Sequence, residues 1–300
     1  MGNSIRALKE FIIKIEPQLP ESQAKEDICE FIDNFIRERI TIADKAIAES
    51  SAQKIRNGMT IVTYAKSSIV EKTLIRAKEV GTNFNVVVID SRPLFEGKNL
   101  AKSLAANGIP TTYMMHTGAS HALKDADLVL LGAHAMMANG RLYSRVGTAA
   151  VAMLGHQRDI PVIVLAESIK FTDRVALDSI VQNEMAPPDE LVIGGVVRNP
   201  EGSHIPENNN NKSDSKSSSS SSSSSAKGGS GGAKNTPEEN NVVKDLGLQN
   251  WREVDGLQLL NVLHDVTPAE YINMVITEYG SLPPSSVPVV HRIATEKDTK

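Results

Sequence analysis

Between Thr60 and Ala166 the chain alternates short apolar runs with helix-like stretches, and several runs are apolar at nearly every residue rather than at every second one. Leu128-Val129-Leu130-Leu131 is the plainest. A strand that is apolar on both sides must be covered on both faces, which a parallel sheet flanked by helices achieves. Thr60–Tyr64, Phe84–Asp90, Pro110–Met115, Asp127–Leu131 and Pro161–Ala166 read as five such strands. The segments between them carry helix punctuation. Ser68-Ile69-Val70-Glu71 fits a capping box with Ser68 as the cap, and Gly81 marks a helix stop. Gly97–Asn107, stopped by Gly108, and Thr148–Arg158 read as two further helices.

The first 55 residues are a different region. Ile5, Leu8, Ile12 and Ile15 recur at helical spacing. Beyond Pro17 and Pro20, Ile28, Ile32, Phe35, Ile36, Ala43 and Ile47 continue a stripe over a long helix from about residue 22 to 55. Residues 199–241 break the pattern with Asn208 to Asn211, nine serines from Ser217 to Ser225, and Gly228-Gly229-Ser230-Gly231-Gly232. That composition cannot bury enough apolar surface to order itself. The Gly-x-Ser-x-Gly match there lacks the strand and helix that a nucleophile elbow requires. Order resumes near Trp251. Leu259–Leu263 reads as a last strand, and Thr267-Pro268-Ala269-Glu270 as a capping box opening a helix with Ile272, Val275, Ile276 and Tyr279 inward and Gly280 as its stop. The expected architecture is α/β. An N-terminal helical region (1–55) precedes a Rossmann-like parallel-sheet domain with helices on both faces (56–198 and 242–293), interrupted by a disordered insertion.

Composition narrows function. The formal net charge is -4, which argues against a general nucleic-acid binder. No apolar run reaches membrane-spanning length, and the polar N-terminus carries no secretory signal. Met1-Gly2 is followed by Arg at position 6, where a myristoylation signal needs Ser or Thr. One cysteine, Cys29, cannot close an internal disulfide, which fits the cytosol; it reads as a small residue near a packed face. The seven His residues give no zinc spacing, and no phosphate-loop or dinucleotide motif is present, so no metal or cofactor is expected.

The remaining chemistry gathers where the strands end. Asp90-Ser91-Arg92-Pro93 follows the second strand and Thr117-Gly118-Ala119-Ser120 the third. Gly132-Ala133-His134 runs through Asn139-Gly140 to Ser144-Arg145-Val146-Gly147-Thr148 after the fourth, and Glu167 to Lys170 follows the fifth. All fall on the carboxyl rim of the sheet, where helix N-termini and cationic side chains hold anions. Arg92, Thr117, His134, Asn139, Gly140, Ser144, Arg145, Gly147, Thr148 and Lys170 are the candidate pocket. At the C-terminus, Val287, Val289 and Val290 lie in an apolar tail, Ser285 to Val290, that nothing local covers. They are the candidate subunit interface.

These motifs together carry a resemblance. Val87 to Pro93, Leu131 to Ala135, Ala138-Asn139-Gly140, Ser144 to Thr148, Lys170-Phe171, His264 to Pro268 and Ser285 to Val290 resemble the regulatory subunits of translation initiation factor 2B. That family shares its fold with methylthioribose-1-phosphate and ribose-1,5-bisphosphate isomerases. The likeness covers most of residues 35–198 and 250–293. It implies that His134 stands where the isomerases have a catalytic Asp, and Ser144-Arg145 where they have Asn-Lys. It also implies that Thr117 to His121 lacks the isomerases' Cys. General acid–base catalysis needs a correctly placed group of suitable pKa, so the implied site is a vestigial isomerase pocket with no catalytic residue. The implied role is a non-catalytic regulatory and assembly subunit of the guanine-nucleotide exchange factor for initiation factor 2, responsive to the phosphorylated alpha subunit of that factor. The implied partners are the other subunits of the exchange factor (alpha, beta, gamma, epsilon), with no nucleic acid and no membrane. Two alternatives share the fold: an active aldose–ketose isomerase, and a sugar-phosphate or nucleotide sensor without turnover, which Arg92, Arg145 and Lys170 would serve.

Overall fold

The computed structural model describes residues 2–181, 183–192, 197–198, 204–205, 248 and 250–298. Two helices open it, α1 (Gly2–Lys14) and α2 (Glu21–Ile36). A π-helical segment, Arg37–Ile42, joins α2 to α3 (Ala43–Ala52). There follow β1 (Thr60–Tyr64), α4 (Ser68–Glu79), β2 (Asn85–Asp90), α5 (Gly97–Ala106) and β3 (Thr111–Met115). Next come α6 (Ala119–Ala122), β4 (Leu128–Gly132), β5 (Ala135–Met136), β6 (Leu142–Arg145), α7 (Thr148–Gln157) and β7 (Val162–Leu165). The last elements are β8 (Val197–Arg198), β9 (His204–Ile205), β10 (His264–Thr267), β11 (Met274–Thr277), β12 (Gly280–Leu282) and α8 (Val287–Asp298).

The main sheet has the order β12-β11-β7-β4-β1-β2-β3. Every neighbouring pair is parallel except β11 with β12. Alternate strand residues feed two cores. Ile61, Val86, Val88, Leu128, Leu130, Ile163 and Leu165 meet α3, α4 and α5 through Ile47, Leu74 and Leu104. Val62, Ile89, Val129, Leu131, Val162 and Val164 meet α6, α7 and α8 through Ala122, Val151 and Val287. Covering both faces explains the apolar runs, since each fully buried Leu, Ile or Val contributes roughly 1.5–3 kcal/mol.

A second, three-stranded antiparallel sheet, β10-β6-β5, sits apart from the main one. The sequence gives no warning of it, because β5 and β6 are two and four residues long and lie inside the glycine-rich motif. Other expectations need correction. The cap of α4 is Ser67, not Ser68: Ser67 has an extended backbone (φ -129°, ψ 127°) and no side-chain cap bond forms. Glu71 instead faces Lys66 at 3.8 Å. Leu259–Leu263 forms no continuous strand: Val262 makes a single antiparallel bridge with Met185, the β10 ladder starts at His264, and Leu260 is exposed.

The helix expected after Thr267 is absent. Ala269–Tyr271 makes a single 3-10 turn. Asn273 then clamps β7, its N–H donating to the Val162 carbonyl (2.9 Å) while its Oδ1 accepts from the Val162 N–H (2.8 Å). That register sets Met274–Thr277 down as β11, which suits its β-branched residues, and Gly280 (φ +115°) turns the chain into β12 rather than ending a helix. Cys29 is exposed rather than packed. The long second helix ends at Ala52 and passes through a π segment. The insertion expected at 199–241 lies outside the described residues, apart from the short β9.

Candidate functional site

Three loops at the carboxyl rim build the site, and the chain's own carboxylates fill its cationic positions. Gly147 precedes α7 with φ +103°, and a Cβ there would lie 2.3 Å from the Tyr64 hydroxyl. Only glycine fits so close an approach. The Tyr64 hydroxyl donates to the Val146 carbonyl and lies 2.6 Å from Ser91 Oγ; burial pushes its pKa up to about 12. The Gly147 N–H at the start of α7 then donates to Asp265 Oδ2 at 2.7 Å, and the Ala149 N–H at 3.0 Å. This helix N-terminus, the natural seat for an anion, holds a carboxylate delivered by β10. Burial pushes the Asp265 carboxyl up to about 6, against the pull of those two N–H groups. The start of α5 repeats the device. Buried Asp90 accepts from the Lys98 N–H (3.2 Å) and from the Tyr113 hydroxyl (3.0 Å). A Cβ at Gly97 would meet its carboxyl carbon at 2.7 Å.

Arg145 is likewise engaged. Its Nε and Nη2 donate to the two oxygens of Glu96 at 2.8 and 2.9 Å, a bidentate pair. Its Nη1 lies 3.3 Å from His264 Nε2. Lys170 pairs with Glu167 at 2.7 Å. Ser144 Oγ donates to the Gly132 carbonyl (3.1 Å) and Thr148 Oγ1 to the Arg145 carbonyl (2.6 Å), so both hydroxyls support backbone.

His134 stands at the junction of two clefts. One, of ≈ 180 Å³, is lined by Lys66, Ser67, His134, Ser144, Arg145, Lys170 and His264 among others. The other, of ≈ 380 Å³, lies between His134, Tyr143, Lys170 and the first turns of α1 at Asn3 and Arg6. The His134 ring lies 4.7 Å from His264 and 5.7 Å from Tyr143. Burial, then the charge of Arg145, lowers its pKa. His264 is almost fully buried and is driven down to about 4 by burial, His134 and Arg145. Both imidazoles are therefore neutral at pH 7.

Not every expected residue joins these clefts. Arg92 is exposed and lines a separate recess with Glu96. Thr117 is exposed in the 3-10 turn His116–Gly118 and lines neither cleft. Asn139 donates to the Ala176 carbonyl at 2.8 Å. Gly140 (φ +76°) would place a Cβ 2.8 Å from the Pro284 carbonyl oxygen. These two residues hold the loop. Val287 is fully buried in the core, which corrects the expectation that the whole tail is uncovered. Val290 packs partly against that core, and Val289 is the exposed member. Sequence reasoning missed Asp265, Glu96, His264 and Tyr143 as site residues. His264-Asp265 shows in the sequence only as part of a motif carrying the resemblance, because the residue it caps, Gly147, lies 118 positions away from Asp265. Among the described residues no group of three or more His, Cys, Asp or Glu could hold a metal, and no helix is long and apolar enough to cross a membrane.

A model of the initiation factor 2 subunit family matches residues 1–284. Translation initiation factor eIF2B subunit delta of Schizosaccharomyces pombe is 40% identical over 97% of this chain and 53% of its own length. The chain thus spans about half of that relative. Ribose 1,5-bisphosphate isomerase of Pyrococcus furiosus is 29% identical over 84% of this chain and 63% of its own. The crystal structure of the tetrameric eIF2B-beta2-delta2 complex from C. thermophilum contains a chain with 34% identity and a TM-score of 0.67. That match covers 93% of this chain and 69% of the other. The chain belongs to the initiation factor 2 subunit family.

Proposed function

We propose that this chain works as a delta-type regulatory subunit of the guanine-nucleotide exchange factor for translation initiation factor 2, in the cytosol, and catalyses no reaction of its own. The observation that carries the reading is the occupancy of its rim. Asp265 sits on the N–H groups of α7 and Glu96 neutralises Arg145. A pocket meant to turn over a sugar phosphate keeps such positions open for the phosphate. His134 and His264, both with lowered pKa, give no acid–base pair in place of the Cys and Asp that the isomerase resemblance implies. The delta-subunit relative and the beta2-delta2 complex support the assembly role.

On this reading the chain binds a beta-type subunit and, through it, joins the alpha, gamma and epsilon subunits. The assembled factor meets initiation factor 2, whose phosphorylated alpha subunit it senses. The test is co-expression with tagged beta-type and epsilon-type subunits, followed by affinity capture and size-exclusion chromatography. Co-elution with the beta-type subunit is expected. A chain that remains alone in the presence of every candidate subunit would overturn the proposal.

A further inference from the structure

A cleft of ≈ 500 Å³ lies where the two opening helices meet the turn between β11 and β12. That volume suits a small molecule, for which sites run from roughly 300 to 1,000 Å³. The sequence builds its walls by helical spacing. α1 supplies Ala7, Glu10, Phe11 and Lys14, which recur at i, i+3, i+4 and i+7 and so share one face. α2 answers with Phe31 and Phe35. The next turn is π-helical, and its wider winding keeps two consecutive residues, Glu38 and Arg39, in the lining. Glu278 and Tyr279 close the cleft from the β11–β12 turn.

Aromatic rings make up much of the wall. Phe11 and Phe31 stack with centroids 4.2 Å apart and planes 12° from parallel, and Phe35 lies 6.0 Å from Phe31 at a tilt. The charges around them are unequally engaged. Arg39 Nη1 donates to the Tyr279 hydroxyl at 3.1 Å, and Lys14 also has a partner. Glu278 accepts from the Ser168 N–H at 3.0 Å. The Glu10 carboxylate has no hydrogen bond or ion pair among the described residues. Glu38 faces only Arg37, at 3.9 Å with both side chains mostly exposed, a pair that water screens to little worth. The charge left unspent beside the rings is therefore negative.

We infer that this cleft binds a small organic ammonium ion, with its apolar body against Phe11, Phe35 and Tyr279 and its charge answered by Glu10 and Glu38.

A cation is drawn to the faces of aromatic rings and to carboxylates alike, whereas an anion would meet two unspent carboxylates. The site is separate from the carboxyl rim, yet α1 lines both, reaching the cleft beside His134 through Asn3 and Arg6. Its walls also come from two parts of the fold. α1 and α2 bury no residue, so a ligand touching both helices and the β11–β12 turn fastens a lightly held helical pair to the edge of the main sheet.

The test titrates the full chain, labelled at its alanine methyls, with phenethylammonium chloride and follows Ala7 by NMR. Saturation with a Kd near about 1 mM is expected of so small a probe. The neutral isostere 2-phenylethanol is expected to bind about tenfold more weakly, since it leaves both carboxylates unanswered. Glu10→Gln combined with Glu38→Gln should weaken the ammonium about tenfold and leave the alcohol unchanged. At about ten times Kd the ammonium should slow amide exchange in α1 and α2 about tenfold. The comparison of ammonium with alcohol is made on the wild type and stands whether or not the variant folds. An Ala7 signal that does not saturate, an alcohol bound as tightly as the ammonium, or an unchanged ammonium affinity in the folded double variant would overturn the inference.

Discussion

Asp265 and Gly147 are 118 positions apart, yet the carboxylate of one accepts the backbone N–H of the other at 2.7 Å. The bond fixes the start of α7 from a strand that pairs with β6. Beside Asp265, His264 is buried on the other side of β10, and the two neighbours are perturbed in opposite senses.

That opposition gives a pH prediction. Asp265 is raised to about 6, so its folded form keeps a proton that the unfolded chain has lost, and its contribution to stability falls as pH rises from about 4 to about 6. His264 is lowered to about 4, so its folded form lacks a proton that the unfolded chain holds, and its contribution rises over much the same window. Each is worth about 3 kcal/mol on the scale of one unit to 1.4 kcal/mol, and they nearly cancel. Asp265→Asn should leave stability climbing with pH through this window, and His264→Asn should leave it falling. Denaturant midpoints of both variants, each referred to wild type between about pH 4 and 7, check the signs.

Gly147→Ala should destabilise the fold by about 3 kcal/mol or more, since a left-handed backbone and a Cβ 2.3 Å from the Tyr64 hydroxyl act together. Adding Tyr64→Phe should recover part of that loss by removing the hydroxyl in the way. A double-mutant cycle by urea unfolding reads the coupling. Strict additivity would mean that the close approach is not what requires glycine here.

The tail valines separate by burial. Val287→Asp places a charge in the core and should unfold the chain, costing about 3 kcal/mol or more. Val289→Asp changes an exposed position and should shift stability by less than about 0.5 kcal/mol. It is the change suited to testing this face for subunit contact, by capture with a tagged beta-type subunit. Loss of capture with an unchanged melting curve would assign the contact to Val289.

Incubated with ribose 1,5-bisphosphate or methylthioribose 1-phosphate, the pure chain should form no ketose above a heat-killed control. Turnover that disappears in His134→Ala would reverse the non-catalytic reading.

The middle of the main sheet was legible because its central strands had to be apolar on both sides, and Val86 to Ile89 and Leu128 to Leu131 advertise that, whereas edge strand β3, Thr111–Met115, buries no residue. The stretch after Thr267 was misread because Ile272, Val275, Ile276 and Tyr279 satisfy helical spacing, while the Asn273–Val162 bonds that choose a strand depend on a partner 111 residues away. The same gap hid the site. Arg145 and Lys170 were found as cations on a rim, but only the fold brings Glu96 to Arg145 across 49 residues. Local sequence shows which groups carry charge; it does not show whether that charge is already spent. Val287 was mistaken for surface for a similar reason, since the core it enters is assembled from β4, α7 and β7.

The small sheet joins stretches of chain on either side of the segment 206–247. β6 precedes it and β10 follows it, and four register pairs hold them together from His264–Arg145 to Thr267–Leu142. β11, also beyond residue 247, lies parallel to β7. A protease cut within 206–247 therefore would not divide the molecule into independent halves. It would produce two polypeptides stitched by strand pairing, one contributing Arg145 and Gly147 and the other His264 and Asp265. Two such pieces, expressed separately and reassembled, would restore the cap that Asp265 places on α7.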